Sequence, residues 1–305
     1  MAECHPVGFQ WVVEAKKRGA RIIPVDPRYT RTSAFANRHI GIRGGTDVVL
    51  LGALIKHMLD NDLYFHDYVV AYTNAPMLVS EDYQDTEDLD GLFSGFDPET
   101  GKYVTDTWQY ESKDDGSSWN VERDDTLQHP RSVFQILKRH FARYTPELVE
   151  ETCGISQEDF YYLANSIADN SKPDRTTCFA YALGFTQHTL GAQFIRTAAI
   201  LQLLMGNVGR PGSGIMALRG HASIQGSTDI PTLFHSLPGY LPMPSVDKQS
   251  WEEYCDEIRD QSQKGFWQLG ESYAVSLMKS YWGDAATAEN NWGYDLMPRI
   301  SGAHS

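Results

Sequence analysis

The strongest constraint on this sequence is a regular alternation of helical and strand patterns through its first sixty residues. A helix is predicted over residues 6–18, where a proline opens the pattern and a glycine closes it. Two short apolar runs, over residues 21–27 and 39–43, have the pattern of buried parallel strands. A second helix is predicted over residues 47–61, capped by Thr46. Alternation of this kind predicts an α/β fold with a doubly wound, mostly parallel sheet.

The same alternation returns beyond residue 130. Further helices are predicted over residues 132–144, 146–153, 156–168 and 191–205, and further strands over residues 176–183 and 215–218. Past residue 222 the pattern gives way to loops rich in proline and glycine, with one predicted helix over residues 250–258. Since 305 residues favour about two domains, we expect one α/β domain over residues 1–221 and the start of a second over residues 222–305.

The negative charge of the chain is concentrated in one segment. Overall, 26 lysines and arginines oppose 40 aspartates and glutamates. Residues 81–125 alone hold 15 acidic residues against 3 basic ones, so the rest of the chain is nearly neutral. Because tryptophan and tyrosine occur among the turn residues here, we expect an acidic insertion over about residues 80–128 that is folded rather than disordered. A solvated surface and a face for a partner protein are both open interpretations.

Charge and the short apolar runs argue against two classes of partner. A net charge of −14 has the wrong sign for binding nucleic acid or an anionic membrane. No apolar run reaches the ~18 to 20 residues that a bilayer crossing needs, so direct membrane insertion is not predicted. The four cysteines, at positions 4, 153, 178 and 255, form no C-x-x-C pair, so we expect no metal centre held by this chain alone.

Polar clusters follow four of the predicted strands. They are residues 26–28 (Asp-Pro-Arg), 44–47 (Gly-Gly-Thr-Asp), 184–187 (Gly-Phe-Thr-Gln) and 219–221 (Arg-Gly-His). Ligands of open α/β sheets bind where the carboxyl ends of parallel strands meet. A glycine turn that opens a helix suits a phosphate, as does Arg28, and Asp26 or Asp47 can accept hydrogen bonds from a ribose or a guanine edge. Each cluster alone has a structural alternative as a cap, breaker or polar loop, but together they predict a site for a large nucleotide-bearing ligand.

Five stretches of sequence carry a family resemblance. They are CHPVGF at residues 4–9, VDPRYTRT at 25–32, RGGTD at 43–47, YALGFTQHT at 181–189 and LRGHASIQG at 218–226. These motifs, spread over essentially the whole chain, resemble the catalytic subunit of molybdenum or tungsten formate dehydrogenases. VDPR and GTD are shared by the wider molybdopterin oxidoreductase superfamily. The QHT and RGHxxIQG forms resemble the formate dehydrogenases with large respiratory or periplasmic subunits.

The resemblance implies a bis(molybdopterin guanine dinucleotide) cofactor that carries molybdenum or tungsten. The positions that match cofactor contacts in the family are Glu3, Asp26, Arg28, Gly45, Thr46, Asp47, Gly184, Thr186 and Gln187. Arg219 matches the arginine that orients formate, for which a fixed guanidinium is well suited. His221 faces the same pocket by this resemblance, either to move a proton or to position its neighbours. Residues 1–221 then bind the guanine dinucleotide, and residues 222–305 form part of a second cofactor-binding domain.

The activity implied is the two-electron oxidation of formate to CO2, or its reverse, in anaerobic respiration. Two alternatives stay open. One is another molybdopterin oxidoreductase, acting on nitrate or by oxo transfer, and the other is a cofactor-binding remnant without activity. The Arg219 context favours a small carboxylate as substrate.

Two parts of the family pattern do not occur in this sequence. Complete subunits begin with a cysteine-rich segment that holds a [4Fe-4S] cluster, and then supply a cysteine or selenocysteine metal ligand followed by histidine. Cys4 is expected to pack as a small side chain instead, so we expect both features upstream and interpret the chain as an internal, inactive fragment of a selenoprotein frame. The resemblance also implies an iron-sulfur electron-transfer subunit as partner, and a periplasmic location with the cytoplasm as alternative.

Overall fold

The computed structural model describes residues 1–113, 120–218, 234–259 and 268–301. The chain divides into two units, Met1–Leu218 and Arg219–Ser305. The predicted boundary at residue 221 falls outside the described ranges. Within those ranges, no helix combines the length and the apolar character that a membrane crossing requires.

Helix α3 lies at the centre of the first unit. The helices of this unit are α1 (Pro6–Lys17), α2 (Arg31–Phe35), α3 (Asp47–Asp60), α4 (His66–Tyr72), α5 (Val133–Phe141), α6 (Pro146–Cys153), α7 (Gln157–Asp169), α8 (Leu183–Thr186) and α9 (Gly191–Leu204). Eight residues of α3 are buried, and the helix packs against α5, α6, α7 and α9. Burying each leucine or isoleucine contributes about 1.5–3 kcal/mol, which explains why this apolar helix forms the core. The helix predicted over residues 47–61 is confirmed, but the predicted cap is wrong, because the hydroxyl of Thr46 donates to the carbonyl of Arg43 instead of accepting from the first turn of the helix.

Local capping residues set where the following helices begin. Ser132, Thr145 and Ser156 each accept a hydrogen bond from the backbone N–H three residues on, at 3.3, 3.2 and 3.2 Å. Gly154 ends α6 in the left-handed conformation, with φ of +71°. The helices predicted to start near residues 132, 146 and 156 are confirmed, although α5 already ends at Phe141.

The acidic insertion is folded wherever the structure describes it. Strands β1 (Phe96–Asp97) and β2 (Lys102–Tyr103) form a short antiparallel hairpin. Single antiparallel bridges join Met77 to Arg123, Leu78 to Ser132, Val79 to Tyr110, and Ser112 to Val121. The bridges of Met77 and Leu78 pair the start of the insertion with its end, just before α5. The insertion therefore begins and ends at neighbouring positions.

Two later strands establish the parallel part of the fold. Strand β3 (Cys178–Tyr181) pairs in parallel with β4 (Gly214–Ala217), with Cys178 opposite Gly214 and Tyr181 opposite Ala217. Helix α9 connects the two strands, as a βαβ unit requires. The chain is therefore an α/β protein, as predicted.

The strands predicted over residues 21–27 and 39–43 are wrong as full strands, because they meet at one parallel bridge between Val25 and Ile40. Pro24 has no N–H with which to extend the ladder backwards. Forwards, the N–H of Arg28 donates to its own turn rather than to the neighbouring strand. The sheets of the described residues have two strands each, and the doubly wound sheet stays a prediction.

The second unit has a small helical core of its own. Helix α10 (Trp251–Ile258) begins at a capping box between Ser250 and Glu253, close to the prediction of residues 250–258. Helix α11 (Gly270–Trp282) was not predicted, because its serines and aromatic residues have weak helix propensity. It is stabilised by packing instead, since its Met278 is fully buried in the same core as the side chain of Tyr254.

Candidate functional site

The first loop of the candidate site, residues 26–28, follows the bridge between Val25 and Ile40. The carboxylate of Asp26 accepts a hydrogen bond from the backbone N–H of Arg28 at 2.8 Å, which closes an Asx turn. The guanidinium of Arg28 is exposed and has no side-chain partner among the described residues. It therefore offers parallel N–H donors to a phosphate.

The second loop, residues 44–47, opens helix α3. Gly45 has φ of +85°, a left-handed conformation that glycine adopts without strain. The hydroxyl of Thr46 donates to a backbone carbonyl within the turn at 2.8 Å. Burial raises the pKa of the half-buried Asp47, while hydrogen bonds from its own backbone N–H and from that of Gly45 oppose the rise. Asp47 thus presents a held carboxylate at the start of the helix.

Arg43 fixes this second loop to the end of α6. Its guanidinium donates to the carbonyl oxygens of Glu151 and Thr152, and its backbone N–H donates to the carbonyl of Cys153 at 3.0 Å. These carbonyls lie in the last turn of α6, where no helical N–H remains to bind them. The thiol of Cys153 donates in return to the carbonyl of Thr46 at 3.5 Å, and burial raises the pKa of this thiol so that it stays protonated. The loop is held from both sides.

The third loop, residues 184–187, follows β3, includes most of the short helix α8, and lies beside the second loop. Its exposed residues include Gly184, Thr186 and Gln187. The Nδ1 atom of His188 lies 3.9 Å from the point where a Cβ on Gly45 would stand, so the two loops are neighbours. His188 also lowers the pKa of Asp47 by its charge, against the larger effect of burial.

The N-terminal part of helix α9 packs against the third loop. A Cβ at Gly191, the first residue of α9, would stand 2.6 Å from the carbonyl oxygens of Phe185 and Thr186. This close approach requires glycine. The ring of His188 packs on Phe194 of the same helix, with ring centroids 5.3 Å apart.

Strand β4 brings the chain to the start of the third loop. The N–H of Leu218 donates to the carbonyl of Tyr181 at 2.7 Å, which extends the pairing of β3 and β4 by one step. The predicted catalytic residues Arg219 and His221 come next in the sequence and lie outside the described residues.

Glu3 is linked to the region just after the first loop. Its carboxylate pairs with Arg31 at 3.5 Å, and the backbone N–H of Ala2 donates to the hydroxyl of Thr32 at 3.0 Å. The predicted site residues therefore form two groups. One surrounds the first loop, and the other joins the second loop to the third.

Three residues in contact with these loops were not predicted as site residues. His188 stands inside the QHT motif, so its position in the sequence was a usable signal. Arg43 likewise stands inside the RGGTD motif. Cys153 carries no such signal, because its role depends on the end of α6 meeting the second loop from more than a hundred residues away.

Comparison with known proteins places the chain in a family. A family model described as "Molybdopterin oxidoreductase" matches residues 1–275. The chain belongs to the molybdopterin oxidoreductase family.

Its relatives include the nitrate-inducible formate dehydrogenase major subunit and the formate dehydrogenase-O major subunit of Escherichia coli K12, 48% and 46% identical over 303 residues. Formate dehydrogenase 2 subunit alpha (cytochrome c-553) of Nitratidesulfovibrio vulgaris is 41% identical over 303 residues. Each match covers 98% of this chain and 29% of the relative. The predicted resemblance to formate dehydrogenase catalytic subunits is confirmed, and the chain spans less than a third of these relatives. Among solved structures, acetylene hydratase from Pelobacter acetylenicus matches 67% of this chain and 20% of its own at TM-score 0.41 and 17% identity.

The family implies a molybdopterin cofactor, and the residues of the three loops fit part of such a group. Arg28 supplies an exposed cation for a phosphate, and Asp47 supplies a held acceptor for N–H groups of a base. Gly45 has no side chain, so the space between it and His188, 3.9 Å from a Cβ position to Nδ1, stays open to a ligand. Within the described ranges, no group of three or more His, Cys, Asp or Glu residues could hold a metal ion. The exposed cation of Arg28 and the carboxylate of Asp47 suit the organic part of the cofactor.

Proposed function

We propose that this chain supplies the central, cofactor-holding part of a formate dehydrogenase catalytic subunit, which oxidises formate to CO2 or catalyses the reverse. The observation that carries the proposal is the meeting of the second and third loops, where Gly45 lies beside His188. It brings together the GTD motif, which the wider superfamily shares, and the QHT motif, whose form resembles the formate dehydrogenases. Identity of 41–48% to formate dehydrogenase subunits over 98% of the chain supports the same substrate.

The cofactor in this proposal is bis(molybdopterin guanine dinucleotide) with molybdenum or tungsten, at the carboxyl edge of a doubly wound sheet. Arg28 binds a phosphate, and the carboxylate of Asp47 accepts hydrogen bonds from N–H groups of a guanine edge. The remaining pterin or nucleotide contacts come from Glu3, Asp26, Gly45, Thr46, Gly184, Thr186 and Gln187. When bound, the cofactor supplies the two-electron redox chemistry. Residues 222–305 contribute part of a second cofactor-binding domain.

Arg219 binds and orients formate in this proposal. Its guanidinium keeps its charge at every relevant pH and presents parallel donors that match both oxygens of a carboxylate. His221 accepts the proton that formate oxidation releases, since an imidazole exchanges protons near neutral pH.

Further parts of the proposal concern the complete native subunit, meaning the native polypeptide in which this sequence occurs. A cysteine or selenocysteine ligand and a [4Fe-4S] cluster outside these residues complete the electron path to an iron-sulfur partner subunit. A periplasmic location in anaerobic respiration accompanies this arrangement. All of these features follow from the family resemblance.

The test is Arg219→Lys in the complete native subunit. We expect kcat/KM for formate to fall on the order of 100-fold, because a single ammonium cannot hold both carboxylate oxygens in place. Cofactor content, measured as extracted pterin and released guanine nucleotide, should stay at the wild-type level. Formate-dependent dye reduction gives the rate.

Arg175→Lys is the matched control, because Arg175 is an exposed arginine that pairs only with its neighbour Asp174 among the described residues. It should leave formate turnover unchanged. Wild-type turnover in the Arg219→Lys variant would refute the role of Arg219. Reduction of nitrate, without any reaction of formate, in the wild-type subunit would refute the proposed substrate.

A further inference from the structure

The acidic insertion carries an exposed cluster of four aromatic rings around the β1–β2 hairpin. The aromatic cluster consists of Phe93, Phe96, Tyr103 and Trp108, with neighbouring ring centroids 5.2 to 6.2 Å apart. Three of these side chains are largely exposed: Phe93 by 52%, Trp108 by 46% and Tyr103 by 39%. Scattered exposed apolar residues are ordinary, but a contiguous group of large rings indicates an interaction site.

The backbone around the aromatic cluster is held firmly, so the exposure of the rings is a fixed property of the hairpin. Gly95 has φ of +81°, and a Cβ there would overlap the carbonyl oxygen of Val104. The indole N–H of Trp108 donates to the carbonyl of Ser94 at 2.8 Å. The hydroxyl of Ser94, which is 2% exposed, lies 2.9 Å from that of Thr107. A preformed surface loses little conformational entropy when it binds a partner.

Six of the acidic residues of the insertion fall into an inner set and an outer set. Inner carboxylates are neutralised by arginines of α5 and its flanks: Asp88 pairs with Arg139, Glu87 with Arg143, and Glu111 with Arg131. The outer set consists of Asp90, Glu99 and Asp106, which are exposed and have no ion pair among the described residues. Lys102 is the one cation in the sequence between residues 90 and 106. The aromatic cluster is therefore flanked in sequence by unneutralised negative charge.

We propose that the aromatic cluster and its outer carboxylates form a docking surface for a positively charged protein, whose lysines or arginines surround an apolar centre. The rings would supply the buried contact area, since tryptophan and tyrosine dominate the energy of protein interfaces. The carboxylates would steer the partner and set its orientation. This proposal does not depend on formate dehydrogenase activity.

Charge selects this occupant over the other candidates. The outer set of three exposed carboxylates is opposed by a single lysine, Lys102, in the sequence between residues 90 and 106, so a second copy of the same surface is repelled. An anionic lipid surface and a nucleic acid are repelled for the same reason. A basic protein is attracted to the outer carboxylates at long range. The aromatic cluster lies on an open surface, so a large partner can reach it.

The experiment measures binding of mitochondrial cytochrome c, a small basic protein, to the complete native subunit by calorimetry. Its succinylated form, in which the lysines become negative, is the matched probe. The first variant is Phe93→Ala/Val104→Ser, which removes two side chains that are 52% and 54% exposed and make no hydrogen bond through their side chains. The control is Val7→Ser/Trp11→Ala on α1, where the exposed fractions are 75% and 68%.

We expect the unmodified probe to bind and the succinylated probe to fail. The Phe93→Ala/Val104→Ser variant should weaken binding at least tenfold at both low and high salt, while the α1 control binds as wild type does. A second variant, Asp90→Asn/Glu99→Gln/Asp106→Asn, should weaken binding mainly at about 20 mM salt, where screening is weak. Equal binding by wild type and the first variant would mean that charge alone attracts the probe, and would overturn the proposal. Failure of the unmodified probe to bind at low salt would overturn it as well.

Discussion

At the scale of single residues, Asp124 shows how one carboxylate can organise a turn. Its two oxygens accept hydrogen bonds from the hydroxyl and N–H of Thr126 and from the N–H groups of Gln128 and His129, at 2.6 to 3.0 Å. These bonds, led by that from the Thr126 hydroxyl, lower the pKa of Asp124 to about 2. They also hold Leu127, which is fully buried at the left-handed φ of +60°.

We expect Asp124→Asn to lower the melting temperature of the chain by about 2–4 °C at neutral pH. The amide nitrogen of asparagine would face the N–H groups of Gln128 and His129, which need an acceptor. Because the folded pKa is depressed, the stabilisation is present above the unfolded pKa of about 3.9 and is lost as the pH falls towards 2. Asp125→Asn, which removes only an exposed pair with Arg123, is the control. The measurement is thermal unfolding followed by circular dichroism. Equal melting temperatures of Asp124→Asn and Asp125→Asn would contradict the prediction.

Asp47 should show the opposite dependence on pH. Burial raises its folded pKa, so the folded chain holds the proton more tightly than the unfolded chain does. The contribution of Asp47 to stability is therefore fully present below the unfolded pKa and is lost as the pH rises through the folded pKa. We expect the free energy of unfolding of wild type, measured with denaturant between about pH 3.5 and 7, to rise relative to that of Asp47→Asn as the pH falls. The exposed Asp62→Asn serves as control, and a wild-type advantage that grows towards neutral pH would refute the prediction.

At the scale of elements, most of the described helices and the strands β3 and β4 could be predicted from sequence. The elements that were not predicted are α2, α4, α8, α11, β1 and β2. Helices α5, α6 and α7 are set by caps at Ser132, Thr145 and Ser156, which act over three residues. Strand pairing depends on partners far along the chain and on every N–H being available. Pro24 removes such a donor, and the Asx turn at Asp26 takes up another, so an apolar run that looked like a strand pairs at one point.

The contact between Arg43 and the end of α6 gives a prediction for the second loop. Arg43→Ala in the complete native subunit should lose the proposed guanine dinucleotide cofactor more readily, because the loop loses its bonds to the carbonyls of Glu151 and Thr152. Arg43→Lys should recover part of the retention by keeping one donor. Arg175→Ala is the control. The measurement is the guanine nucleotide that acid hydrolysis frees from the protein recovered after gel filtration, and equal amounts in all four proteins would show that the Arg43 contact has no effect on cofactor retention.

At the scale of the whole molecule, the loops of the site could be predicted from sequence more completely than the contacts that hold these loops in place. Asp47 and Gln187 stand in short motifs that are visible in one dimension. The approach of His188 to Gly45, and of Gly191 to the third loop, arises from packing of α9 against α3, which no local pattern encodes. The catalytic pair Arg219 and His221 stays a prediction.

The first unit should fold without the second. Its core lies wholly within Met1–Leu218, and α9 contributes buried side chains such as Leu201 to it. A polypeptide ending at residue 218 is expected to show one cooperative thermal transition by circular dichroism. A polypeptide ending at residue 190, which lacks α9, should show none. A gradual, non-cooperative loss of signal from the longer polypeptide would contradict this prediction.

The hydrogen bond from Leu218 to Tyr181 also bears on how related sequences can differ in length. Each added residue advances an extended chain by ~3.3 Å and turns the next side chain to the opposite face. One extra amino acid within β4 would therefore disrupt the hydrogen bond from Leu218 to Tyr181, directly before the residue proposed to bind formate, Arg219. We therefore expect natural insertions and deletions to be absent from β4.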